Sequence, residues 1–209
     1  DSYVLIGASS YDSATINDVG RAWLYNASTY SFVRNFENPD TTNLLFGKAV
    51  AVNDTYSLIA STTKAYVFQN SNGSLVRTYT MPGGYSAHGT SVKLAGRYAC
   101  ITAFKTTPST ASYVLIYDII DNSLVTTVSL GAGSQRLYID TSSNWLSATT
   151  SIAGSAQVTV YDVTNGNSVR SVTGGGSQSF CVTDKFVGVG DGNNIKLYDI
   201  RTGSLMQTI

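Results

Sequence analysis

His88 is the only imidazole in 209 residues and Glu37 the only glutamate, whereas twelve aspartates are scattered along the chain. A single histidine excludes multi-histidine metal sites and relays that need a second imidazole. A serine hydrolase needs just one, yet no serine here stands in the Gly-x-Ser-x-Gly elbow that exposes the nucleophile. The lone glutamate removes Glu-based acid/base pairs and leaves aspartate pairs such as Asp12 and Asp18. Two carboxylates in one polar stretch can hold a weak cation, but the plainer reading is that they solvate a loop. Gly188-Val189-Gly190-Asp191-Gly192 and Gly174-Gly175-Gly176 have phosphate-loop composition, but neither opens a helix, so both read as turns. Cys100 and Cys181 each sit in an alternating apolar run, the setting of a small buried thiol.

Elements able to position such groups follow from composition. Hydrophobic residues make up 43% and charged residues 12%; that charge is about half the usual share, and the chain can bury a core. Glycine, tyrosine, serine and threonine abound, which disfavours helix and favours strands joined by tight turns. The formal net charge is +0, with lysines and arginines placed singly. No basic stripe exists to neutralise a run of phosphates, so nucleic acid is not an expected partner. No apolar run approaches the roughly 20 residues of a membrane span, and no cofactor motif is present. The length suits one large all-β domain.

Self-similarity is the strongest signal. An apolar run ending in an aromatic recurs with anchors at Tyr25, Phe68, Tyr117, Tyr161 and Tyr198, spaced 43, 49, 44 and 37 residues apart. That is the period of a four-stranded propeller blade, roughly 40 to 50 residues. Turns rich in residues that tolerate positive φ follow the anchors, as at Ser71-Asn72-Gly73 and Arg201-Thr202-Gly203, and predict hairpins. Outer strands are expected at Ser31 to Glu37, Ser74 to Thr80, Ser123 to Ser129, Ser168 to Thr173 and Ser204 to Ile209. Runs preceding the anchors predict strands at Tyr3 to Gly7, Tyr56 to Ala60, Tyr98 to Phe104, Trp145 to Ser151 and Phe186 to Gly190. Weaker innermost strands are expected at Gly47 to Val52, Thr90 to Ala95, Gln135 to Asp140 and Gln178 to Thr183, with none before the first repeat. The expectation is an all-β propeller, five blades of four antiparallel strands with the first lacking its innermost one. Blade cores fall near 1–37, 46–80, 89–129, 134–174 and 177–209 of a single domain. The missing strand is expected outside residues 1–209, in a longer chain; a slice of a larger ring fits the same repeat count.

Asn38-Pro39, then Phe46-Gly47-Lys48-Ala49-Val50-Ala51-Val52, the turn Asn53-Asp54-Thr55 and Tyr56-Ser57-Leu58-Ile59-Ala60 resemble an FG-GAP repeat, the unit of integrin-α-like propellers. Tyr3-Val4-Leu5-Ile6-Gly7-Ala8, the loop Ser9 to Val19 and Gly20-Arg21-Ala22-Trp23 are similar to the other half of that repeat. The likeness spans roughly residues 1 to 80. Further on, Ile195 to Leu205 look more like the end of a WD-repeat or quinoprotein-type blade. The D-x-D-x-D-G calcium loop of integrin-type repeats is absent from Asn53-Asp54-Thr55, Gly96-Arg97, Thr141-Ser142-Ser143 and Asp184, and no Gly-His pair of WD type occurs. Arrays of this kind, rich in Ser, Thr, Asn and Tyr, resemble repeats on bacterial surface proteins and on virion proteins of aquatic bacteriophages. The resemblance implies binding or assembly outside the cytosol.

In such an array the longest connections, Ser9 to Gly20, Asn38 to Phe46, Met81 to Gly89 and Lys105 to Ala111, emerge on one face. Loops on a rigid scaffold are where recognition concentrates. Tyr11, Asp12, Asp18, Tyr85 and His88 are the expected binding residues there, with no catalytic or metal-binding residue. A non-enzymatic binding or structural propeller on a virion or cell surface (tail fibre, capsid decoration or adhesin) is the leading function. Its partners would be other virion or surface proteins, or a cell-surface glycan or receptor. The alternatives are an intracellular WD-repeat-like interaction scaffold, which suits free thiols, and a propeller hydrolase or lyase, disfavoured by the thin supply of titratable groups.

Overall fold

Short, nearly continuous apolar runs are the pattern of strands packed on both faces, and the chain folds accordingly. The computed structural model describes residues 2–85, 87–106, 110–132, 138–152, 155–173 and 179–209, with backbone only at 87, 88, 132, 150–152, 155 and 156. The first sheet holds β1 (Tyr3–Ala8), β2 (Arg21–Asn26) and β3 (Phe32–Glu37). The second holds β4 (Ala49–Val52), β5 (Tyr56–Ala60), β6 (Lys64–Gln69) and β7 (Leu75–Thr80). The third is β8 (Ala87–Ala95), β9 (Tyr98–Lys105), β10 (Ala111–Asp118) and β11 (Ser123–Ala132). The fourth is β12 (Ile139–Thr141), β13 (Trp145–Ile152), β14 (Ser155–Asp162) and β15 (Ser168–Thr173). The fifth is β16 (Phe180–Val182), β17 (Phe186–Asp191), β18 (Asn194–Asp199) and β19 (Leu205–Thr208). Neighbouring strands are antiparallel and follow chain order within each sheet. Among the described residues no helix is long and apolar enough to cross a membrane.

Each sheet presses one face on the sheet before it and one on the sheet after. Leu24 and Phe36 meet Ile59, Tyr66 and Phe68 between the first and second sheets. Val67 and Tyr79 meet Ala99 and Ile101 between the second and third. Ile116 and Val128 meet Leu146 and Tyr161 next, and Val160 and Val172 meet Val187 and Val189 last. The leading strands stack in sequence, β1 on β4, β4 on β8, β8 on β12 and β12 on β16. Both faces of the three middle sheets are thereby buried, which accounts for the low charge.

The aromatic anchors share a backbone signature. In every sheet the register slips immediately before the anchor, between Leu24 and Tyr25, Val67 and Phe68, Ile116 and Tyr117, Val160 and Tyr161, and Leu197 and Tyr198. Such a bulge bends the outer strand and increases its twist. The next polar residue caps the turn: Asn26, Asp118, Asp162 and Asp199 each accept backbone N–H groups two or three residues on through Oδ1. Glycines are most constrained between the first two sheets. A Cβ on Gly7 would lie 2.2 Å from the Gly47 carbonyl oxygen, and one on Gly20 2.0 Å from that of Phe46.

Three details depart from the sequence reading. Connection Met81 to Gly89 is shorter than expected, because β8 begins at Ala87, with Ala87 and His88 paired to Phe104 and Ala103 ahead of a register break. Cys181 is exposed, unlike the buried Cys100: it pairs with Gly188 on the face of the fifth sheet turned away from the fourth, which no sheet among the described residues covers. Gly188 to Asp191 belong to β17, so only Gly192 of that glycine-rich run is in a turn, while Gly174 to Gly176 lie outside the described residues.

Candidate functional site

The expected binding residues fall into separate clusters at the long-connection end. In the β1–β2 connection, the Tyr11 ring meets Trp23 edge to face at 5.9 Å, and the Arg21 guanidinium lies 4.3 Å from its centre. Asp12 does not face Asp18 as a carboxylate pair: its Oδ1 accepts the backbone N–H of Asp18 at 2.8 Å, fastening a residue with φ of 52°. At the third sheet, Tyr85 meets Tyr113 edge to face at 5.5 Å, with Lys105 Nζ 4.4 Å from the Tyr85 ring centre and 5.2 Å from that of Tyr113. Burial raises the Tyr85 hydroxyl above its usual pKa. His88 is a strand residue there, not a loop residue.

The connection from Asn38 to Phe46, expected as a recognition loop, is a clasp. Asn38 Nδ2 donates to the carbonyls of Val19 and Asn43. Asn43, itself buried, accepts from Ser61 Oγ and the Thr63 N–H, and donates to Thr63 Oγ1. Lys64 Nζ sits 2.6 Å from Asp40 Oδ2, and this bond, with others from Thr42, lowers the Asp40 carboxyl to about 2. Nearby, burial lowers Lys48 to about 8 while its ammonium donates to the Thr62 carbonyl.

A cleft opens at the other end, where the turns joining first to second strands of the second to fifth sheets converge. It encloses about 700 Å³. Asn53, Asp54, Arg97, Ser142, Ser143 and Asp184 supply its polar walls. Its geometry is fixed by the turns themselves: Asn53 Oδ1 accepts from Thr55 and Tyr56 N–H, while its Nδ2 donates to the Gly96 carbonyl of the next turn. Asp184 accepts from Ser143 N–H and Oγ, linking fourth and fifth sheets. Arg97 pairs with Asp118 Oδ2 at 2.6 Å and Asp121 Oδ2 at 3.2 Å. Ser142 Oγ is buried without a hydrogen-bond partner. Such walls suit hydrogen bonding to a polar ligand or a polar protein loop. Among the described residues no three His, Cys, Asp or Glu side chains gather as a metal cluster. In the sequence these four turns stand out only as places where a calcium loop is missing; the signal that could have found the cleft is their shared position in the repeat.

No protein-family model matches the chain, and no curated protein matches it in sequence. Solved structures do. A europium-containing methanol dehydrogenase superposes over 100% of this chain with a TM-score of 0.65 at 8% identity, and the chain spans 49% of that protein. A chain of the mitotic checkpoint complex matches over 99% of this chain and 69% of its own, with a TM-score of 0.60 at 11% identity. KlHsv2 with loop 6CD replaced by a Gly-Ser linker matches over 75% of this chain and 49% of its own, with a TM-score of 0.50 at 12% identity. At such identities the likeness speaks for architecture and not for activity. All three are propeller proteins, and with its stacked antiparallel sheets the chain has the β-propeller fold.

Proposed function

We propose that the chain contributes five blades to a propeller that binds and builds rather than catalyses, working at a virion or cell surface. The observation that carries this reading is how the charged groups are used. Asp118, Asp162 and Asp199 cap turns, Asp40 and Lys64 hold a clasp together, and Arg34, Arg77 and Arg170 each reach carbonyls of the following sheet. What remains for a partner is a rigid frame bearing a hydroxyl- and amide-lined cleft at one end and tyrosine-rich connections at the other. Partners of that chemistry are other virion or surface proteins, with a cell-surface glycan or receptor as ligand. The FG-GAP resemblance of residues 1 to 80 and the low charge support the same placement. A second reading, an intracellular WD-repeat-like scaffold, is favoured by the free, exposed Cys181 and by the likeness to a chain of the mitotic checkpoint complex.

Two measurements separate these readings. Purified particles or cell envelopes should contain the protein at fixed stoichiometry; recovery only from the free cytosolic fraction would refute the surface placement. In glycan and cell-binding assays Arg97→Ala tests the cleft and Tyr85→Ala the long-connection end. Loss of binding in one identifies the face that recognises the ligand, and unchanged binding in both rejects a recognition role for either.

A further inference from the structure

The cleft at the turn end joins polar walls to apolar lining, and its polar groups are not all spent. Ser142 lines it, and the buried Oγ of that residue has no hydrogen-bond partner. Asp184 receives one bond from Ser143 on each oxygen, and Asp54 receives the Ser2 N–H at 2.7 Å on Oδ1. A carboxylate offers about four acceptor positions, so both keep places for further donors. Arg97 meets Asp118 and Asp121 through Nη2, and its side chain is still 43% exposed. Val52, Tyr56, Leu94 and Ile120 supply apolar surface among these groups. The long-connection end differs. There Tyr11 packs on Trp23, Lys105 lies over Tyr85 and Tyr113, and Asn43 is engaged by Ser61 and Thr63.

We propose that this cleft binds a neutral saccharide, with the sugar hydroxyls on Ser142, Asp54, Asp184 and Arg97 and its C–H face on the apolar lining, an assignment that rests on the surface-binding reading above and names the ligand class of the cleft. A pyranose carries vicinal hydroxyls, each donor and acceptor at once, around a ring whose faces are C–H. The lining offers the complement: acceptors on two carboxylates, an unpartnered hydroxyl, guanidinium donors and apolar surface between them. A lysine or arginine side chain would answer the carboxylates but bring no acceptor for Arg97. The volume of about 700 Å³ lies within the roughly 300–1,000 Å³ of small-molecule sites. Ser142 gives the cleft a reason to be filled, because a buried hydroxyl without a partner costs stability that a ligand hydroxyl restores. Little ordering is needed on binding, since Asn53 fastens its turn to Gly96 and Asp184 fastens its own to Ser143. Charge then sets the selectivity. Asp54 and Asp184 line the cleft with one cation, Arg97, whose charge is already met by Asp118 and Asp121. A sialylated, uronic or sulfated sugar would set a further negative charge against these carboxylates, and like charges brought together are repelled.

An array of neutral oligosaccharides ending in hexose or N-acetylhexosamine, printed beside the same chains capped with sialic acid, tests it, followed by calorimetric titration with the chains that bind. Neutral chains should bind, and their capped counterparts should bind about tenfold more weakly. Ser142→Ala removes a hydroxyl that bonds nothing within the protein, so it should not lower the melting temperature. It should weaken the neutral chains about tenfold, the scale of one lost hydrogen bond. Asp54→Asn with Asp184→Asn removes the repelling charge and should narrow the gap between neutral and capped chains, whereas Tyr85→Ala should leave both unchanged. A wild type that binds no neutral chain at millimolar concentration, or that prefers the capped ones, overturns the proposal. So does neutral binding that Ser142→Ala leaves unchanged. Protein that sits in particles at fixed stoichiometry but binds no saccharide loses the ligand class and keeps the surface placement; saccharide binding by protein recovered only from the cytosol does the reverse.

Discussion

Asp40 is held by Lys64 and Thr42 to a pKa near 2, below the 3.8 of a free carboxyl. Because the folded value is the lower one, the charged carboxylate stabilises the clasp above about pH 4, and that contribution disappears as pH falls from about 4 towards 2. Asp40→Asn should therefore melt below wild type at neutral pH, with the difference closing across that window; a constant offset from pH 7 to 2 would contradict the assignment. The two thiols differ just as sharply. Burial pushes Cys100 up to about 12, while Cys181 is exposed. A thiol-specific alkylating reagent should modify one cysteine in the native protein, identified by mass spectrometry as Cys181, and two only after unfolding. Modification of Cys100 in the native state would show that the interface between third and fourth sheets opens readily.

Among the elements, the outer strands do more than close each sheet. Arg77 on β7 spends its guanidinium on two carbonyls of the third sheet, partly sheltered from water. Arg77→Ala should cost about 2 kcal/mol in chemical denaturation, the scale of lost hydrogen bonds from a charged donor. Thr78→Ala, on the exposed face of the same strand, should cost less than about 0.5 kcal/mol; equal losses would deny the clip its role. The strands themselves were legible because burial on both faces forces continuous apolar runs and the anchors repeat. Tyr56–Ala60 and Ser168–Thr173 coincide with their expected spans, and the three-stranded first sheet agrees with the missing leading run. Legibility failed where tertiary pairing decides. His88 and Gly89 read as loop, but pairing of Ala87 and His88 with β9 draws them into a strand. Asn38 to Phe46 reads as a free loop because nothing local announces that Asn43 will be buried by Ser61 and Thr63. Cys181 reads as buried because its sequence neighbours alternate as in the other sheets, and local pattern does not say which face of a sheet a neighbour covers. The cleft at Arg97 and Asp184 is made by four turns tens of residues apart, so only the assembled array brings its walls together.

For the molecule as a whole, the sheets stack in sequence order, each touching chiefly its neighbours, so stability is close to a sum of sheets and interfaces. The third sheet lies between the four-stranded second and fourth sheets, while among the described residues the first and fifth have one neighbour each. Native-state hydrogen exchange should show protection greatest in β9 and β10 and falling towards β1 and β19; uniform protection from end to end would indicate one cooperative unit. The uncovered end faces then act as a thermostat for the ends. Whatever covers them adds a neighbour to the sheets that have just one among the described residues, so fraying at the two tips, rather than global melting, is the quantity that such a cover should slow.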